Sequence, residues 1–281
     1  MDVKYKDVEA MPDGHIDVTF FNGSVRNSEN ERMAKLLRAK TKTLVAFGSC
    51  AHEGSVPGLA NLYDPKEILE SVYHASQIKG SEVSSVPRPR SHVKEGELEI
   101  PVFYDTVRTL GQTVDVDYYL PGCPPPVALI TAAIDAIISG KLPPKGSVLA
   151  PLPAVCDQCP RKRENKKISK IHRVYEIVPE PERCLMEQGI ICMGMATRSG
   201  CGAQCLKADM PCTGCGGATP NQDDIGTGMI SALAAMLNLD EGSGEYSDKE
   251  IEELISQIKD PAGIFYLYCL PSSILQRKVK K

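Results

Sequence analysis

The chain has 281 residues, 42% hydrophobic and 24% charged, with a formal net charge of −4. That length accommodates one large or two modest domains. No apolar run reaches the roughly eighteen residues of a membrane span, and the mild acidity gives no general attraction to nucleic acid or anionic lipid. The unusual count is cysteine, eleven residues against five histidines and no tryptophan.

The first half reads as α/β. His15–Phe21 (HIDVTFF) is a strand candidate closed by the Asn22-Gly23 turn. Ser28 followed by Glu31 reads as a capping box, and Met33, Leu36 and Leu37 give the next helix an apolar face. Thr43–Gly48 (TLVAFG) is a continuous apolar strand, as in a buried parallel sheet. Asp64-Pro65-Lys66-Glu67 places N-cap, proline and N3 acid in order for another helix. Ser81–Gly111, polar and punctuated by proline, reads as a surface excursion. Val114–Leu120 is a third strand, and after Pro-Gly-Cys-Pro-Pro-Pro an apolar helix runs from about Val127 to Ser139. Strands alternating with helices predict a doubly wound domain over residues 1–150. Such a domain opens with a central strand and its crossover helix, and nothing before His15 supplies them.

The proline-rich stretch Leu142–Pro153 reads as a linker into a second domain, residues 151–281. Periodicity nearly vanishes there until Met229, and loop-rich sequence of this kind can draw its stability from metal ligation. The end returns to helix in Met229–Leu239, Asp248–Lys259 and Phe265–Lys281, the last with a basic tail. Arg161–Arg173 holds seven Lys or Arg, a solvated face or a dock for an acidic electron partner.

Eight cysteines lie between Cys156 and Cys215: CDQC (Cys156, Cys159), Cys184, Cys192, CGAQC (Cys201, Cys205) and CTGC (Cys212, Cys215). A disulfide framework fits poorly, since the total is odd and the N-terminus has no apolar signal core. Two sets of four thiolates suit two iron–sulfur clusters, with tetrahedral zinc the alternative. Gly200, Gly202, Gly214, Gly216 and Gly217 would let backbone N–H groups close around a cluster, although zinc knuckles use glycine too. Cys50 and Cys123 each follow an apolar strand, where the carboxyl ends of a parallel sheet meet a binding crevice. Together they read as half of a cluster site; singly, as buried inert thiols. Cys269 reads as a core residue. His15, His52, His74, His92 and His172 share no ligand spacing, and no phosphate-binding loop is present. His52 and Glu53, beside Cys50, could tune a cluster or serve only as surface or hydrogen-bonding groups.

The segments GSCAHEGSVPG, LPGCPPP, CDQCP and CLMEQGIICMGMATRSGCGAQCLKADMPCTGCGG resemble the small subunit of nickel–iron hydrogenases, over nearly the whole chain. They are most similar to the soluble viologen-reducing and deazaflavin-reducing group of methanogens. The resemblance implies a flavodoxin-like N-terminal domain and a C-terminal iron–sulfur domain. It also implies that Cys156, Cys159, Cys184 and Cys192 bind a distal 4Fe–4S cluster, and Cys201, Cys205, Cys212 and Cys215 a medial one. Cys156 and Cys205 stand where periplasmic members have a histidine and lack a cysteine, so both clusters are expected as cubanes. Cys50 and Cys123 would be two proximal ligands. The family's N-terminal strand with a CxxC is not in this sequence. Three accounts are open: Met1 is an internal methionine of a longer chain, another polypeptide supplies the rest, or the proximal site is lost.

The reading that follows is a non-catalytic electron-transfer subunit of an oxidoreductase. It would relay electrons from a nickel–iron large subunit to an iron–sulfur or flavin acceptor of the heterodisulfide-reductase type. The alternatives are the same relay in a non-hydrogenase complex, and a zinc-stabilised scaffold without redox role. Absence of export signals sets the expected location as cytoplasmic.

Overall fold

The computed structural model describes residues 3–73, 86–168, 170–220, 222–237 and 248–277. Helix α1 (Tyr5–Ala10) leads into β1 (Ile16–Asn22), β2 (Val25–Asn27), α2 (Ser28–Lys40), β3 (Thr41–Phe47) and α3 (Ser49–Glu53). Then come α4 (Pro65–Tyr73), β4 (Arg90–Val93), β5 (Gly96–Glu99), β6 (Phe103–Arg108), β7 (Tyr118–Leu120), α5 (Val127–Ile138) and β8 (Ser147–Val148). The cysteine-rich part contains α6 (Gln204–Lys207), α7 (Ile225–Met236), α8 (Asp248–Gln257) and α9 (Pro261–Phe265), joined by single turns and loops.

The central sheet is parallel, in the order β1-β3-β7-β8. Successive side chains of β3 point to opposite faces. Leu44 and Ala46 join Ala34 of α2 in one core layer, while Val45 joins Leu129 and Ala133 of α5 in the other. The fold is therefore the α/β, parallel-sheet class read from the strand–helix alternation. Asp117, just before β7, fixes the register from within: its carboxylate accepts from Leu44 N–H at 2.8 Å, Arg38 at 2.7 Å and Lys145 at 2.6 Å. Burial works against that charge, yet the Lys145, Arg38 and backbone donors hold the carboxyl below its usual range.

Long-range contacts correct several sequence expectations. Asn27, not Ser28, caps α2, accepting from Asn30 N–H at 2.8 Å; the Ser28 hydroxyl instead accepts from Val102 N–H. Glu31 faces Tyr104 and Arg108, because β6 crosses in front of the helix. The described part of Ser81–Gly111 is therefore no mere excursion: β6 pairs antiparallel with β2, and β4 with β5; residues 81–85 lie outside the described residues. The Leu142–Pro153 linker contributes β8, the sheet's fourth strand. The third strand starts only at Tyr118, since Asp117 and its neighbours are spent on side-chain anchoring. Helix α7 begins four residues before Met229, where Asp224 caps it. Beyond α9 the described chain forms turns rather than a helix, with Pro271 wedged against Gly54 and Gly58.

The C-terminal half packs around Leu185, Ile190, Met229, Phe265 and Leu270. Its last segment returns to the first half: Ser55 N–H donates to Tyr268 O at 2.9 Å, Gln112 to Pro271 O at 2.7 Å, and Asn61 to Gln276 O at 2.9 Å. Among the described residues no helix is long and apolar enough to cross a membrane.

Candidate metal centres

The two inner strands, β3 and β7, deliver Cys50 and Cys123 to the carboxyl end of the parallel sheet. Strand β3 ends at Phe47; the next residue, Gly48, donates its N–H to Leu120 O at 2.7 Å, and Ser49 N–H donates to Gly122 O at 2.8 Å. These bonds tie the start of α3, which bears Cys50, to the loop bearing Cys123. Gly122 has φ +128°, and a Cβ there would sit 2.5 Å from Pro125 Cα, so the loop needs glycine. From the same end the Ser49 hydroxyl donates to Cys215 O at 2.8 Å, which brings Cys215 alongside.

The C-terminal thiols lie close enough to act on one another. Burial first, then the neighbouring thiols of Cys192, Cys184 and Cys159, push the Cys156 thiol up to about 12. Burial, then Cys201 and Cys205, push Cys215 up to about 11. Burial and the adjacent Cys192 raise Cys212 as well. Thiols held so close together resist ionising unless a cation is placed among them, which is the charge environment a metal centre supplies. The donor set therefore fits thiolate-ligated clusters. Among the described residues no three His, Cys, Asp or Glu side chains converge on a point as one ion would need. Instead Cys123, Cys201, Cys205, Cys212 and Cys215 stand around a single cavity of about 380 Å³. Cys50 does not line it.

Backbone contacts lock the sets. Gln158, inside CDQC, accepts from Gly200 N–H at 3.0 Å and Gly202 N–H at 3.1 Å, joining the first cysteine pair to the third. Met193 N–H donates to Cys212 O at 2.8 Å. The Cys192 sulfur accepts from Cys212 N–H at 3.3 Å, and the Cys215 sulfur accepts a bond from Cys123 N–H. Gly194 lies where the sets meet: a Cβ there would be 3.5 Å from Cys156 Sγ and 3.6 Å from Cys192 Sγ.

Sequence reasoning missed three features. Arg161 is no solvated charge: its buried guanidinium donates to Glu180 O at 2.7 Å, Arg183 O at 3.0 Å and Asp209 at 2.6 Å, pinning the loop that carries Cys184. Its signal was position, directly after CDQCP. Gly194 lies inside the long cysteine segment, but nothing in the local pattern singled it out. His52 is no free surface group; it is half-buried, its ring tilted against Tyr119 with centroids 4.9 Å apart. Burial, then Arg198, lower His52 to about 4, and burial raises Glu53 to about 8 against a backbone donor from Ala218. Among the described residues His52 Nδ1, Glu53 Oε2 and Arg198 Nε are buried without a hydrogen-bond partner. Cys269 is a core residue as expected, 5% exposed, with its thiol directed at Phe265 O. His74 lies outside the described residues.

The family model described as NADH ubiquinone oxidoreductase, 20 Kd subunit, matches residues 1–137. The chain is 39% identical to the iron–sulfur subunit of the F420-non-reducing hydrogenase of Archaeoglobus profundus, an alignment spanning 100% of this chain and 86% of that protein. It is 36% identical to an F420-non-reducing hydrogenase subunit of Methanocaldococcus jannaschii, over 98% of this chain and 84% of the relative. With the corresponding F420-non-reducing hydrogenase subunit of Methanothermobacter thermautotrophicus the identity is 34%, over 100% and 85%.

Proposed function

This chain belongs to the family formed by these F420-non-reducing hydrogenase subunits, and on that premise we propose that it relays electrons between a nickel–iron large subunit and a redox partner. The observation that supports this reading most is that Cys192, Cys184 and Cys159 bear on the Cys156 thiol, while Cys201 and Cys205 bear on Cys215. Cys156, Cys159, Cys184 and Cys192 would hold the distal 4Fe–4S cluster, and Cys201, Cys205, Cys212 and Cys215 the medial one. Cys50 and Cys123 would be ligands of a third, proximal cluster. Clusters held this way take up and release single electrons.

The protein's own part is to hold the sulfurs, exclude water and donate hydrogen bonds to them. The Cys212 and Cys123 N–H groups donate to Cys192 and Cys215 sulfurs, and such bonds stabilise negative charge on sulfur and so raise a reduction potential. In this reading residues 1–150 form the domain presenting Cys50 and Cys123, and residues 151–281 the domain holding the other two clusters. The acceptor would be an iron–sulfur or flavin protein of the heterodisulfide-reductase type, and the compartment the cytoplasm.

The test is nickel analysis and H2-dependent bleaching of the complex isolated anaerobically through this subunit. Nickel near one per complex, with visible absorbance that H2 bleaches, is the expected result. Bleaching by dithionite but not by H2, without nickel, would leave a relay and remove hydrogen as its donor.

A further inference from the structure

Two adjoining cavities open beside the second cysteine set, away from the Cys123 loop. The inner one, about 220 Å³, is walled by Ile171, Ile190, Met193, Pro211 and Ile264, and Cys212 forms part of its lining. The outer one, about 410 Å³, shares Ile171, His172, Arg173, Gln257 and Lys259 with it and adds Lys170 and Glu176. Three cations, Lys170, Arg173 and Lys259, therefore stand at the mouth against one carboxylate. That carboxylate is engaged already: Glu176 accepts from Arg173 N–H at 3.0 Å and lies 3.7 Å from His172. Among the described residues neither Lys170 nor Arg173 makes an ion pair. The Gln257 side chain accepts from Ile171 N–H at 2.9 Å, which fixes the wall between α8 and the strap before His172.

An apolar chamber behind a cationic mouth selects a molecule with an apolar body and an anionic head. The inner volume is below the roughly 300–1,000 Å³ of sites for drug-sized ligands, so the body is one or two rings. We propose that this paired cavity binds a small aromatic organic anion that exchanges electrons with the medial site through the Cys212 wall. The binding half stands on the cavity alone; the electron half rests on the relay reading above. For a quinone of this class the step is balanced: two electrons pass one at a time from the reduced protein, two protons come from water, and the quinone leaves as its hydroquinone.

The probe is 1,4-naphthoquinone-2-sulfonate, titrated into the oxidised complex by calorimetry. Lys170→Glu with Arg173→Glu should weaken its Kd by about tenfold or more, with neutral 1,4-naphthoquinone little changed. Lys170→Arg, which keeps the charge, should bind the probe as the parent does, and Val174→Phe, which fills the chamber, should abolish binding. An unchanged Kd in the charge-reversed variant overturns the proposal. Stopped-flow mixing of the probe with dithionite-reduced complex tests the second half: reoxidation should slow in step with the lost affinity, and an unaltered rate overturns electron exchange here. A complex with no absorbance for dithionite to bleach would sink the relay reading and leave the calorimetric result standing.

Discussion

The backbone N–H of Cys212 donates a hydrogen bond of 3.3 Å to the sulfur of Cys192. That bond joins one residue from each proposed thiol set, and Gly194 lies beside both residues. A Cβ at Gly194 would make ordinary contacts at 3.5–3.7 Å with Cys156, Cys192 and Cys212, with no backbone strain. Gly194→Ala should therefore retain its metal. Gly194→Leu should displace the sulfurs and lose iron, which metal analysis of the purified variants checks.

Single thiol substitutions should separate the sets. Cys156→Ser should remove about four irons and leave the second set's signal, and Cys215→Ser the reverse. Cys269→Ala, a change in the core beside Phe265, should leave iron content untouched. Equal iron loss in all three would contradict the division into sets.

Glu53 gives a pH signature. Burial raises its folded pKa to about 8 from 4.5, so the folded state keeps the proton after the unfolded chain has released it. Stability should fall as pH rises from about 4.5 towards about 8 and then level off. Glu53→Gln should flatten that slope and unfold at higher temperature than the parent at pH 8. Thermal melts across this range under anaerobic conditions decide it; an identical slope in the variant would count against the assignment.

Asp117 behaves in the opposite sense, because Lys145, Arg38 and the Leu44 N–H hold its folded pKa below the unfolded value despite burial. Its contribution is present above the usual carboxylate range and is lost as pH falls through the depressed value. Asp117→Ala strands the buried Leu44 N–H and should cost about 2–4 kcal/mol, read by denaturant unfolding.

Pro271 tests the return of the C-terminal segment. A Cβ at Gly58 would lie 2.4 Å from Pro271 Cδ and Cγ, so Gly58→Ala must push the 270–273 turn away and should cost about 1–3 kcal/mol. Limited proteolysis should then cut near the C-terminus first, and an unchanged cleavage pattern would show that the contact does not hold the segment.

What could be read from the sequence was what depends on local pattern. TLVAFG alternates nothing and is buried on both faces, so β3 emerged directly; the Asp64–Glu67 cap is reciprocal in space, with Asp64 N–H donating to Glu67 at 3.0 Å. Long-range partners decided the rest. Ser28 lost its capping role to Asn27 because Val102, just ahead of β6 and 74 residues away, donates to its hydroxyl. Ser147–Val148 is too short for any periodicity, and it becomes a strand only because Tyr119 O accepts from Leu149 N–H at 2.7 Å. The cysteine motifs were visible as spacing, whereas their hydrogen-bonded seam at Gly194, the half-burial of His52 and the burial of Glu53 exist only after folding.

The most direct test of the account is iron, acid-labile sulfide and zinc per chain, measured on anaerobically purified protein. The account predicts at least about eight irons and an equal amount of sulfide, four of each for each C-terminal set, with negligible zinc. Zinc at one or two per chain without sulfide would contradict it and make these thiols a structural scaffold.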